Sequence, residues 1–270
     1  MRRKRRGRRQ LWLGIAMLGL VIVPMVVISV WGNLSTEVNL DAFMESGGSP
    51  ALLGVDDLGR DVLACVVKGT WISLGLGLTA VLLSGAIGGF LGLAAGLAGG
   101  VFDTVVMRMV DVMLAFPGIL LALTLMAVFP HGALSVVIAL VASGWAAYAR
   151  LVRGEVVKYK RSDFVLAART YNASFGRIIF HHLVPLVLPL LAIHASLGIA
   201  DAIIAESSLN FLGLGLRPEI PTLGQMLDAG RAHLFDRPSL VVVPGAVIYV
   251  LIVSFNFIAE GLEEYFSFDD

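Results

Sequence analysis

Apolar residues fall in long blocks along this chain, too long for strands and too continuous for the one-sided helices of a soluble core. Six blocks predict membrane-spanning helices: Leu11–Trp31; Trp71–Ala98, rich in glycine; Thr104–Phe129, interrupted by Phe116-Pro117-Gly118; Ala133–Leu151; Leu186–Phe211, the most polar; and Leu240–Ala259. Each is long enough to cross ~30 Å of hydrocarbon at ~1.5 Å per residue. The first block follows a basic stretch, Arg2 to Arg9, in the layout of a secretory signal. Its 21 residues exceed the ~7–15 of a signal's apolar region, and no A-x-A-like site ends it, so it reads as a retained first membrane helix. The basic stretch itself suits anchorage on anionic lipid.

Composition agrees with the blocks. Of 270 residues, 57% are hydrophobic and 15% charged, with a mean hydropathy of +0.86; soluble domains carry ~25% charged residues. The formal net charge is zero, which argues against a nucleic-acid partner. The single cysteine, Cys65, excludes an intrachain disulfide and a multi-cysteine metal site. Charge placement gives the topology. With the N-terminus inside, fifteen lysines and arginines flank the spans on the cytoplasmic side, and five (Arg60, Lys68, Arg217, Arg231, Arg237) lie outside. The bias places both termini in the cytoplasm.

Three segments lie between the spans. Gly32–Thr70 faces the exterior and holds Leu53-Gly-Val-Asp-Asp-Leu-Gly-Arg-Asp61; Gly213–Ser239 is a second exterior loop, rich in Gly and Pro. Val152–Pro185, 34 residues, is cytoplasmic and too apolar for disorder. Within it Asp163–Tyr171 predicts a short helix, with Ser162 as N-cap, Asp163 at the positive end of the dipole and Asn172 as a left-handed stop. Ala167 and Ala168 offer a close-approach surface, and an amphipathic stretch, Phe175–Leu183, leads to Pro185. A helix of this kind suits a groove in another protein; an interfacial helix lying on lipid is the alternative.

Permeases of ABC importers carry a cytoplasmic motif of Glu-Ala-Ala, three residues, Gly, nine residues, Ile, one residue, Leu, Pro. Here stand Leu166-Ala167-Ala168, then Asn172, His182, Val184 and Pro185, so both alanines and the proline match while four positions depart. Four further stretches complete the resemblance: Leu53–Asp61 to an LGTDxLGRD-type segment, Met107–Pro117 to MRxxDxxLAFP, Tyr148–Gly154 to YARLVRG, and Asn210–Gly215 to SFLGLG. Over essentially its whole length the chain resembles the second-permease subunit of dipeptide, oligopeptide and nickel importers. The resemblance implies an all-α membrane protein with six transmembrane helices in the type I ABC importer permease fold. Residues 1–70 would hold the basic terminus, first span and exterior segment; residues 71–270 would form the core permease domain around the loop 152–185. It also implies a second homologous permease, two cytoplasmic ATPases, an extracytoplasmic substrate-binding protein and a place in the prokaryotic inner membrane. Asp163, Leu166, Ala167, Ala168, Arg169, Asn172 and Pro185 would then meet an ATPase.

In the fifth span His194, Asp201, Glu206 and Asn210 are polar in an apolar setting. Against lipid they would be costly, so they face protein or a water-filled path; a translocation lining and plain interhelical hydrogen bonding are the two readings. Asp111 sits one turn from Arg108, as an i,i+3 pair or as snorkelling side chains. Asp56, Asp57 and Asp61 surround Arg60 without calcium-loop spacing and suggest a local salt-bridged turn. Pro117-Gly118 marks a kink, read as static. With no G-x-x-x-x-G-K-[ST], no HExxH and no Ser/His/Asp arrangement, the chain is expected to catalyse nothing and hold no cofactor or metal, ATP and Mg lying on partner ATPases. Peptide is the favoured solute, since one histidine in the fifth span is too few for a bare metal. A nickel or metal-chelate importer is the rival, followed by an ion-coupled secondary transporter, which usually shows repeats that are absent here, and a channel.

Overall fold

Capping and breaking residues set the helix boundaries. The structure, a computed structural model, describes residues 2–31, 36, 53–171 and 174–266; among these the only extended pairing is a single bridge between Val55 and Asp61. Helix α1 runs Arg2–Trp31, so the basic stretch is helical and continuous with the first span. Helix α2 runs Val62–Ala98. It starts before Trp71 because Asp61 caps it, accepting from the backbone N–H groups of Leu63 at 2.7 Å and Ala64 at 3.3 Å. The division at residue 70 therefore falls inside a helix.

Gly99 and Gly100, with φ of 66° and 60°, turn the chain into α3, Gly100–Ala115. Helix α4, Gly118–Val128, leaves α3 at 87°. Pro117 forces the break: it pushes Phe116 into extended backbone (φ −91°, ψ 137°) and itself sits at the N-cap of α4. The third span is thus two helices meeting almost at a right angle, a far larger departure than a kink. Helix α5, Ala133–Tyr159, outruns its predicted end at Leu151. Helix α6, Asp163–Thr170, follows. A helical turn at Phe175–Arg177 and a π-helical segment, Ile178–Leu183, run straight into α7, Val184–Phe211. Pro185 lies in the first turn of α7, where its missing N–H is tolerated. The connector between spans shrinks accordingly from 152–185 to 160–177. The loop 213–239 holds helix α8, Leu223–Gly230, capped by Thr222, before α9, Ser239–Phe266. Counting the bent pair as one, six helical segments among the described residues are long and apolar enough to cross a membrane.

Helix α2 is the hub. Gly88, Gly92 and Gly96 recur every fourth residue and bring it against α5, running parallel. A Cβ on Gly88 would lie 2.7 Å from Tyr148 Cβ, and one on Gly96 2.9 Å from Val156 Cβ. Small residues at this spacing let backbones pack in a bilayer, where no hydrophobic force drives helices together. Helix α1 packs almost wholly on α9, antiparallel, through Gly7, Gly14 and Gly261. Arg6 lies 3.6 Å from Glu264, and Gln10 donates to Glu260 at 2.8 Å, so the start of α1 and the end of α9 meet at one end of the bundle. That basic end also holds the close of α5, where Lys160 donates to the Gly96 carbonyl at 2.6 Å. The opposite end holds α8 and the segment before α2.

Candidate functional site

Ion pairs first fix the broken third span. Arg153 donates to both oxygens of Asp103, at 3.0 and 2.6 Å, and Arg150 donates to Asp111. Asp111 thus bonds across to α5, not to Arg108 on its own helix, because the antiparallel run of α3 beside α5 brings the Arg150 guanidinium to it. With α3 tied to α5 and α4 turned away at Pro117, a cavity of about 420 Å³ opens between α2, α4, α5 and α7. Gly118 and Ile119, at the bend itself, form part of its wall. Most of the lining is apolar or small; the polar groups are Ser84, Ser143, Tyr148, His194 and Asp201.

Tyr148 organises the cavity wall. It is buried, its hydroxyl donates to the carbonyl oxygen of His194 at 3.3 Å, and its ring meets the imidazole edge-on at 5.3 Å. Asp201 lies two turns beyond His194 on the same face, exposed in the single chain. Sequence reasoning picked out His194 and Asp201 but gave no role to Tyr148, Ser84 or Ser143. Tyr148 opens the quoted Tyr148–Gly154 stretch, the signal that could have raised it; the serines lie in apolar runs that mark nothing out.

Glu206 and Asn210 do not line this cavity, so the four polar residues of the span divide into two sets. Glu206 is 0% exposed. Its carboxylate accepts from Ser73 Oγ at 2.8 Å and Asn210 Nδ2 at 2.6 Å, with Ser207 Oγ at 3.4 Å. Asn210 Oδ1 in turn accepts from the backbone N–H of Leu216 at 2.8 Å, and Gln225 on α8 donates to the Leu216 carbonyl at 2.9 Å. A Cβ on Gly215 would strike the Asn210 side chain, so the Asn210–Gly215 stretch is a hydrogen-bonded corner joining α7 to α8. These two residues satisfy one another as interhelical and loop-binding groups, as buried polar networks must.

At the far end Asp56 pairs with Arg60 at 2.7 Å and also accepts from the backbone of Leu58 and Arg60, the local salt-bridged turn expected from the sequence. Asp57 instead meets His233 at 2.9 Å. Among the described residues no group of three or more His, Cys, Asp or Glu is placed to hold a metal.

Helix α6 sits at the basic end. Asp163 is its first residue, but Ser162 turns its hydroxyl to donate to the Tyr159 carbonyl at 2.6 Å and does not cap through its side chain. Val165, 0% exposed, anchors the helix among Val152, Val156, Ile178, Leu183 and Val187. Phe164 and Leu166 are 44% and 47% exposed. The two alanines part company: Ala168 packs inward on that cluster, while Ala167 is exposed. His182, where the motif has isoleucine, faces the Phe164 ring at 6.3 Å. Arg169 lies on this helix; Asn172, the expected stop, lies outside the described residues.

A bundle of apolar helices with a part-polar cavity between its spans and a short helix bare at one end is consistent with a membrane transport protein. Residues 88–267 match the family described as Binding-protein-dependent transport system inner membrane component, and the chain belongs to that family. It is therefore a multi-pass inner-membrane permease of the ABC importer class, which replaces the readings as a channel or an ion-coupled secondary transporter. The chain is 35% identical over 252 residues to the Glutathione transport system permease protein GsiD of Pectobacterium atrosepticum, covering 91% of this chain and 84% of that protein. It is 35% identical over 261 residues to the Dipeptide transport system permease protein DppC of Haemophilus influenzae, covering 92% and 88%. Among solved structures, a chain of the MetNI methionine ABC transporter superposes with a TM-score of 0.56 at 18% identity, covering 73% of this chain and 94% of that one, which places the fold in the same architecture.

Proposed function

We propose that this chain carries peptides or peptide-like small solutes inward as one of two homologous permeases, with its basic end and both termini in the cytoplasm. Two ATPase subunits bind and hydrolyse ATP with magnesium, an extracytoplasmic binding protein delivers the solute, and the chain itself catalyses nothing. Relatives whose names specify dipeptide and glutathione transport support this solute class over nickel.

The observation that carries the reading is α6. Val165, with Ala168 beside it, ties it to the spans while Leu166 and Ala167 stand open on the other side. ATP can shift a permease between states only if the ATPase contacts those states differently. Through Val165, a push on the open face reaches α5 and the start of α7, both of which line the cavity further along. Crosslinking tests this. A short bifunctional reagent on Ala167→Cys should capture an ATPase subunit, and the same reagent on Gly213→Cys, at the opposite end, should capture none. Capture of the ATPase from Gly213→Cys and not from Ala167→Cys would reverse the assignment.

A further inference from the structure

Three carboxylates within the spans are held by partners inside the chain. Asp103 is held by Arg153, Asp111 by Arg150, and Glu206 by Ser73 and Asn210. Asp201 makes no hydrogen bond or ion pair with any described residue, yet it lines the cavity of about 420 Å³. An ionised group at membrane depth is expensive unless it is paired. Among the described residues no lysine or arginine is placed to serve. Helices α4 and α7 contain neither; Lys68 lies near the far end of α2; and the first cation of α5, Arg150, is engaged with Asp111. The one group facing Asp201 that can take a positive charge is the His194 imidazole two turns away, so a permanent counter-charge comes from outside the chain.

We propose that Asp201 is a subsite for the cationic amino group of the transported solute, so that the cavity favours solutes bearing a free primary ammonium. This rests on the importer reading above and adds to it the group by which a solute is recognised. A compact ammonium carries three donors and no acceptor. Asp201 supplies the charge and acceptor oxygens, and the Ser84 and Ser143 hydroxyls of the same cavity can accept further bonds. His194, about 10 Å along the helix axis at ~1.5 Å per residue, can donate one N–H to a carbonyl or carboxylate further along an extended solute. That span matches about three extended residues at ~3.5 Å each. The remaining wall is apolar and small, from Ala80, Leu140, Gly144 and Ala205. Such a wall accepts varied side chains without choosing among them. The amino group is held and the side chains are not read, the selectivity a general peptide carrier needs.

The test uses the assembled complex of two permeases and two ATPases in lipid nanodiscs, without the binding protein, so that its own selectivity plays no part. Ala147→Cys, in the cavity wall, is labelled with a thiol reagent in the presence of tri-alanine or N-acetyl-tri-alanine. Tri-alanine should slow labelling at concentrations where the acetylated peptide does not. Asp201→Asn should raise the tri-alanine concentration needed by about tenfold, the effect of one charge-assisted contact, and Asp201→Glu should restore it. Equal protection by both peptides, protection by neither, or protection unchanged in Asp201→Asn would overturn the subsite. So would loss of the second permease from Asp201→Asn, which would mark the carboxylate as an inter-subunit ion pair. Wild-type complex that moves peptide in sealed vesicles with ATP and the binding protein, yet shows no amine-dependent protection in nanodiscs, would sink the subsite alone. Absence of ATP-driven peptide movement in those vesicles would sink the importer reading and the subsite with it.

Discussion

Val165→Ala should detach α6 from the spans and uncouple ATP hydrolysis from transport. The helix has eight residues, too few to hold itself in water. Its stability comes from packing, and Val165 is its one wholly buried residue among those described, surrounded by five buried residues of α5, the π segment and α7. Truncation removes about two methyl groups at ~0.8 kcal/mol each, plus a cavity term, for about 2–3 kcal/mol in all. At ~1.4 kcal/mol per tenfold, the ratio of docked to undocked helix falls about 30- to 140-fold. Hydrogen exchange on the assembled complex reads this directly. Amides of residues 167–170 should lose protection by about that factor, while those of Val152–Val156 in α5 stay as they were. Uptake should fall while basal ATP hydrolysis persists. Ala167→Trp, on the open face, should do the opposite: exchange in α6 unchanged, ATPase association weakened by overpacking of about 1–3 kcal/mol. Unchanged exchange at 167–170 in Val165→Ala would refute the claim that Val165 holds this helix.

Gly92→Leu should destabilise the bundle by about 1–3 kcal/mol in detergent thermal melts, because its Cβ would sit 3.1 Å from Ala149 Cα. Gly75→Leu on the same helix, with no atom within 4 Å of its Cβ, should be close to neutral; equal effects would remove the close-packing argument. Glu206→Leu strands the Ser73 hydroxyl and an Asn210 donor and should cost about 1–3 kcal/mol, with loosening of the 212–216 turn seen by exchange, whereas Glu206→Gln should lose less than half of that. In a Cys65→Ala background, cysteine at Ser162 should react only from the cytoplasmic side and at Ser239 only from outside; the reverse pattern would invert the topology.

The spans were legible because lipid demands continuous apolar runs; charge asymmetry supplies only the orientation proposed above. Boundaries were less so. Hydropathy starts the second span at Trp71, yet Asp61 caps a helix that begins nine positions earlier at Val62, and Cys65 to Val67 lie in its buried core. Hydropathy likewise ends the fourth span at Leu151, although amphipathic residues carry α5 on to Tyr159. Pro117 announced a break but not its size, which follows from the ion pairs that hold α3 on α5 while α4 packs through Ala122 and Met126 elsewhere. In the candidate site, helical spacing paired His194 with Asp201 and Glu206 with Asn210 correctly. It could not say which pair meets a cavity, because that depends on Ser73 of α2 and Leu216 of the following loop, both distant in the chain. The departures at Leu166 and His182 make sense only in three dimensions: one is an exposed apolar contact, the other packs on Phe164.

The central claim is that this chain moves solute inward on ATP hydrolysed by its partners. The direct test reconstitutes it with the second permease, both ATPases and the binding protein in sealed vesicles, ATPases outward and labelled tri-alanine with the binding protein inside. Export of the label from the lumen to the ATPase side should require ATP, the binding protein and this chain together. Label movement that proceeds without ATP on an imposed ion gradient would contradict the account.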